Sequence, residues 1–80
     1  FVAQLQTDGA GRALVQRALA SLPQGERAAL VLRDLEGLTT EETAHLLGVR
    51  PVTVRSQAAA ARAKVQAFCA RLLQSEGGRP

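Results

Sequence analysis

Arg50, Val52, Thr53, Arg55, Ser56 and Gln57 crowd into eight consecutive positions of an 80-residue chain. Their chemistry is that of nucleic-acid contact. A guanidinium fork matches a phosphate or the O6/N7 edge of guanine, hydroxyls reach phosphates or base edges, and a primary amide pairs with adenine. Among apolar side chains, alanine can contact a thymine methyl but cannot hydrogen-bond a base. Other chemistries lack their parts. Cys69 is the single cysteine and His45 the single histidine, so neither an internal disulfide nor a four-ligand zinc site is possible within the chain. Glu41 and Glu42 are adjacent, and adjacent helix positions diverge, which rules out a facing carboxylate pair. No nucleophile–base pair, phosphate-binding glycine loop or metal-ligand cluster occurs, so no enzyme activity, catalytic residue, metal or cofactor is expected.

The elements needed to present those six side chains are legible just upstream. Thr39 followed by Glu42 predicts a capping box and the start of a helix. Ala44 is small enough for a close helix crossing. Gly48, four residues later, suits a left-handed turn residue. Pro51 fits the first position of the next helix. Val54 points back to the core, with Leu47 and Val49 as apolar anchors about the turn. Leu38 to Ser56 thus reads as a helix-turn-helix, whose second helix enters the major groove.

The rest of the chain reads as helix too. Leu14, Val15, Ala18, Leu19 and Leu22 follow helical spacing from about Arg12 to Ser21, and Pro23 breaks that run. A second helix is expected from Gln24 to about Leu35 or Glu36, stopped by Gly37. The last is expected from Pro51 to about Gln74, with Val54, Ala58, Ala61, Val65, Phe68 and Leu72 as one apolar stripe. The expected fold class is all-α: a four-helix domain with a C-terminal helix-turn-helix and a long last helix. Residues 1–11 are expected to be a linker or N-terminal arm, residues 12–75 the domain, and residues 76–80 a disordered tail. A chain this short buries only about 60–65% of its unfolded surface. Its core must therefore be modest, supplemented by a parent protein if the chain is a fragment, as its start without methionine suggests.

The net charge of +3 is unevenly spread. Residues 1–49 carry four arginines against six carboxylates, whereas residues 50–80 carry six cations against Glu76 alone. A basic second half suits phosphate attraction, and equally a solvated face favoured by the helix macrodipole. No signal peptide or apolar membrane run is present. With a single thiol, the expected location is the cytoplasm and no membrane partner is expected.

Leu22-Pro23-Gln24-Gly25-Glu26-Arg27, the apolar run to Arg33-Asp34-Leu35-Glu36-Gly37-Leu38, and Thr39 through Ser56 together resemble region 4 of the extracytoplasmic-function sigma factors, in the sigma-70 family. The family pattern is Leu-Pro-x-x-x-Arg, then Leu-x-Gly-Leu/Met-Ser/Thr-x-Glu-Glu-Ile-Ala, Leu-Gly-Val/Ile and Thr-Val-Lys/Arg-Ser-Arg. The likeness covers about residues 12–70. LuxR-type regulators share the topology, but the Arg33–Gly37 segment fits sigma region 4 better. The resemblance implies a four-helix domain binding the −35 element of a promoter. It further implies contact with the β-flap of RNA polymerase and regulation by an anti-sigma factor. It also implies a longer factor, since region 2, which melts the −10 element, lies outside this chain.

The departures from the pattern fall on the reading face. Gln57 stands where arginine is usual, and Ala60 where a second arginine is common. Counting 100° per residue from Val54, the outward face holds Val52, Arg55, Ser56, Ala59 and Ala63, with Ala60 at its margin. Arg55 is the base-reading candidate, with a phosphate as its alternative target. Ser56 and Thr53 are candidates for phosphate or base edges, although Thr53 has its own backbone as an alternative. Arg50 is expected at a phosphate just before the helix, and Gln57 at the flank. Arg62 and Lys64 are candidate phosphate contacts or solvated cations. Thr39 and Thr40 open a helix whose free amides suit a phosphate. His45 is expected at the surface and Cys69 in the core. The leading function is promoter binding by an alternative sigma factor. The alternative is a sigma-like module whose main partner is an anti-sigma factor, with weak or no DNA binding, motivated by the alanine-rich outer face.

Overall fold

The computed structural model describes residues 9–77. Within them the chain forms four α-helices and no strand: α1 (Gly9–Ala20), α2 (Gln24–Leu30), α3 (Thr40–Leu47) and α4 (Pro51–Gly77), with a π-helical segment, Val31–Leu35, continuing α2. The all-α, four-helix expectation holds. Helix α1 starts at Gly9, inside the stretch expected to be an arm, and α4 runs to Gly77, past Gln74. Nothing between Gln74 and the Gly77-Gly78 pair stops a helix, so α4 continues until glycine removes the incentive. The remaining residues of the expected arm and tail, 1–8 and 78–80, lie outside the described residues.

One core unites α1, α2 and α4. Val15, Ala18, Leu19 and Leu22 pack against Leu30, Ala61, Val65 and Cys69, with Leu14, Val31, Leu35 and Phe68 around them. Helix α1 ends where the Ser21 and Leu22 amides bond three residues back, to the Ala18 and Leu19 carbonyls at 3.1 Å each. Pro23, extended at φ −56° and ψ 150°, then redirects the chain, and its carbonyl accepts the first bond of α2 from the Arg27 amide.

The second helix departs from its expected form after Leu30. Through Val31–Leu35 the turn widens to π geometry, so that the Glu36 amide reaches back five residues to the Val31 carbonyl at 3.0 Å. A period-3.6 reading places the apolar residues correctly but is blind to one extra residue in a turn. Gly37 closes the element at φ +76°, and the Arg33 guanidinium donates to the Leu38 carbonyl at 2.6 Å. That cation sits where helix carbonyls are left without partners.

Helix α3 carries the expected caps at both ends. The Glu42 amide donates to the Thr39 hydroxyl at 3.0 Å, and the Thr39 amide donates to the Glu42 carboxylate at 2.8 Å. At the other end Gly48 is left-handed at φ +69°. The Val49 amide reaches the Ala44 carbonyl and the Gly48 amide the His45 carbonyl, the paired bonds of a Schellman ending. Ala44 and Val54 are buried and Leu47 is half-buried. Val49 is not an anchor: it is 37% exposed, because the left-handed turn swings it away from the core.

Candidate nucleic-acid interface

The Gly48 turn sets α3 and the start of α4 against each other, with Ala44 on one and Val54 on the other facing inward. Arg50 caps α4, its carbonyl accepting the Thr53 and Val54 amides at 3.0 and 3.2 Å, and it is exposed. Beyond it, Val52, Arg55, Ser56, Ala59 and Ala63 are all exposed, while Val54, Ala58, Ala61 and Val65 are buried. The two faces of α4 are therefore those that 100° per residue implies. Val52 is 59% exposed at the first turn, a large apolar side chain left in water. Thr53 and Ala60 are half-buried at the margins.

Several candidates have other work. Arg62 makes a bidentate pair with Asp34: Nε donates to Oδ2 at 2.9 Å and Nη2 to Oδ1 at 2.6 Å. Its hydrogen bonds hold the Asp34 carboxyl below the ordinary carboxylate range against the opposing pull of burial. The same bonds raise Arg62 above the usual arginine value. Arg62 is thus withdrawn from the free cations, since a phosphate would have to displace a fork already matched to a carboxylate. Lys64 is likewise engaged with Glu26, its Nζ donating to Oε2 at 3.1 Å. Gln57 is half-buried and lies against Gly25; a Cβ at that glycine would stand 2.6 Å from Gln57 Nε2. It packs on α2 rather than joining the outward row, as its flank position on the helix implied. Thr39 spends its hydroxyl and its amide in the capping box, which leaves Thr40 and Glu41 as the α3 residues with amides available to an anion.

Two residues carry more than their sequence context suggested. Thr43 is fully buried, and its hydroxyl has no hydrogen-bond partner. Its clue was in plain view, because the sigma pattern places isoleucine there. In the sequence Asp34 is only part of a motif; its separation of 28 residues from Arg62 puts the pairing beyond any local pattern. His45 is exposed and Cys69 buried, as expected. Burial pushes the Cys69 thiol up, so it stays protonated at neutral pH. No helix among the described residues is long and apolar enough to cross a membrane.

Residues 12–65 match the family model described as Sigma-70, region 4. Among curated proteins, the chain is 49% identical over 59 residues to the ECF RNA polymerase sigma factor SigM of Mycobacterium tuberculosis, covering 74% of this chain and 28% of that protein. It is 43% identical over 68 residues to the ECF RNA polymerase sigma factor SigE of Mycolicibacterium smegmatis, covering 85% of this chain and 26% of that one. To the ECF RNA polymerase sigma factor ShbA of Streptomyces griseus it is 49% identical over 43 residues, 54% of this chain and 22% of the other. The chain spans about a quarter of the length of these curated relatives. No solved structure matches it significantly. The matched segment runs from α1 through the helix-turn-helix into the middle of α4, so the fold just described is that of the family: the chain belongs to Sigma-70, region 4, of the ECF type.

Proposed function

We propose that this chain is the DNA-binding domain of an alternative RNA polymerase sigma factor, and that it recognises the −35 element of promoters. The observation that carries this reading is the outward row Arg50, Val52, Arg55 and Ser56, exposed on the first two turns of a helix held by a helix-turn-helix. Arg55 reads guanine through its fork, Val52 meets a thymine methyl, and Arg50, Ser56 and Thr53 contact phosphates or base edges. The amide of Thr40 adds a phosphate contact from the N-terminus of α3. With Arg62 and Lys64 paired internally, few cations face DNA, so the salt dependence is shallow. Contact with the β-flap of RNA polymerase and control by an anti-sigma factor belong to the same reading, by likeness to sigma factors. As part of a transcription factor, the chain would work in the cytoplasm.

The test is selection of duplexes from a randomised pool, followed by affinity measurement across a salt series. Arg55→Ala should cost about 1–3 kcal/mol and relax preference at one base pair. Failure to bind any duplex in a salt-dependent way overturns the reading.

One observation favours the second reading, a sigma-like module whose main partner is protein. Leu46 is 64% exposed, in a shallow apolar groove lined with Leu38, Glu41, Glu42 and His45 on the outer side of α3. This is a different surface from the alanine-rich face of α4 that first suggested such a role. Loss of anti-sigma binding on Leu46→Ser, from a chain that selects no DNA, would favour it.

A further inference from the structure

The inner face of α4 carries two buried alanines between the buried Val54 and Val65. Helix α4 packs on α2, and on its inner face Ala58 and Ala61 are buried. Alanines let two helices approach closely, but they make shallow knobs. At those two positions the alanines themselves give little hold against rotation of α4 about its own axis. Rotation matters here. A turn of about 20° moves a side-chain tip roughly 6 Å from the axis by about 2 Å, more than a hydrogen bond tolerates.

Two ion pairs flank that face. Arg62 and Lys64 lie about 80° to either side of the buried stripe, counting 100° per residue from Val54. Arg62 pairs with Asp34 in the π segment, and Lys64 with Glu26 near the start of α2. The two cations are separated by about 3 Å along α4, whereas eight residues separate their partners, a span of about 12 Å in helical geometry. The second element therefore crosses α4 and is tied to it on both sides of the crossing. The ties differ in stiffness. Lys64 offers one ammonium, its side chain 52% exposed and that of Glu26 19%, whereas the Asp34–Arg62 fork is bidentate, with Arg62 36% and Asp34 11% exposed. A planar fork on a carboxylate restrains orientation as well as distance. Arg55 lies two turns before Arg62, within about 20° of it around the axis, so it follows the same edge of α4.

We propose that the Asp34–Arg62 pair is a positioning strut: it sets the rotation of α4, and with it the places where Arg55 and Ser56 meet DNA, without touching DNA itself. This rests on the DNA-binding reading above. The π segment has a part in it, since the widened turn is where α2 presents Asp34 to α4.

The test uses the full chain and the duplex that the wild type selects from a randomised pool. Asp34→Asn and Arg62→Gln should each weaken binding about tenfold, roughly the effect of one mismatched base pair. The double variant should be no worse than either single one, and the exchanged pair Asp34→Arg with Arg62→Asp should regain most of the loss. The slope of affinity against salt should not change, because no phosphate contact is removed. Residual dipolar couplings should show α4 turned relative to α2 in the single variants. A slope reduced by about one in Arg62→Gln, with Asp34→Asn binding as well as wild type, would make Arg62 a phosphate ligand and overturn the proposal. Unchanged affinity in both singles overturns it too, as does a loss that the exchanged pair fails to rescue. If the wild type selects no duplex, the DNA reading fails, and the strut is then judged by the couplings alone: an unturned α4 in Arg62→Gln rejects it.

Discussion

Thr43 shows how one side chain can be at odds with a core that otherwise suits it. It sits on the inner face of α3 with its hydroxyl shut away from water and from any acceptor. A buried hydroxyl without a partner costs stability, and valine has nearly the same shape without that cost. Thr43→Val should raise stability by about 1 kcal/mol, seen as a higher denaturant midpoint at unchanged slope. An unchanged or lowered midpoint would mean that the hydroxyl has found a partner. At the same scale, Arg55 and Arg62 carry the same guanidinium on the same edge of one helix with opposite fates. Arg55 is exposed, whereas Arg62 is locked to Asp34. Residue type and helical position made both candidate DNA contacts; neighbours on another helix separate them.

At the scale of elements, local chemistry was readable. The capping box at Thr39 and Glu42 and the stop at Gly48 appear with the bonding their residue types imply. Both are satisfied within a few residues, so sequence proximity suffices to find them. Gly48 needs no side-chain room, since a Cβ there would meet nothing within 4 Å. Its requirement is conformational, at φ +69°. Gly48→Ala should therefore destabilise the domain by about 1 kcal/mol through backbone strain alone. Gly48→Asn should cost less, because asparagine tolerates the left-handed region. Equal losses in thermal unfolding would point to a steric cause instead. The π segment after Leu30 was not readable. Apolar spacing is nearly the same for a helix with or without one widened turn, and within the π segment Val31 and Leu35 pack on the shared core.

For the molecule as a whole, the ties across the α2–α4 crossing give stability a dependence on acid. The Asp34 carboxyl is held below its ordinary value in the folded chain, chiefly by its hydrogen bonds to Arg62. A carboxyl with a depressed folded pKa adds stability that is complete above the unfolded value of about 3.9 and is lost as pH falls through the lower folded value. Thermal midpoints should therefore drop on acidification below about pH 4, and that drop should be smaller in Asp34→Asn. Identical acid profiles for the two proteins would show the pair to be energetically idle. The same ties explain why the positive second half of the chain is less available to DNA than its charge suggests. Among the described residues, Arg62 and Lys64 are neutralised by carboxylates of the first half.

Composition, apolar spacing and caps were enough to specify four helices, the helix-turn-helix and the two faces of α4, because each depends on interactions within about four residues of chain. The family likeness was legible for the same reason, as its motif is largely a string of caps, turns and inward-facing positions. Which cations remain free, where the helix widens, and which buried hydroxyl goes unpaired depend on partners brought together by folding. Asp34 and Arg62 are separated by 28 positions, and no local periodicity encodes their meeting. The packing of α2 across α4 creates that pair, and with it the edge along which Arg55 is aimed.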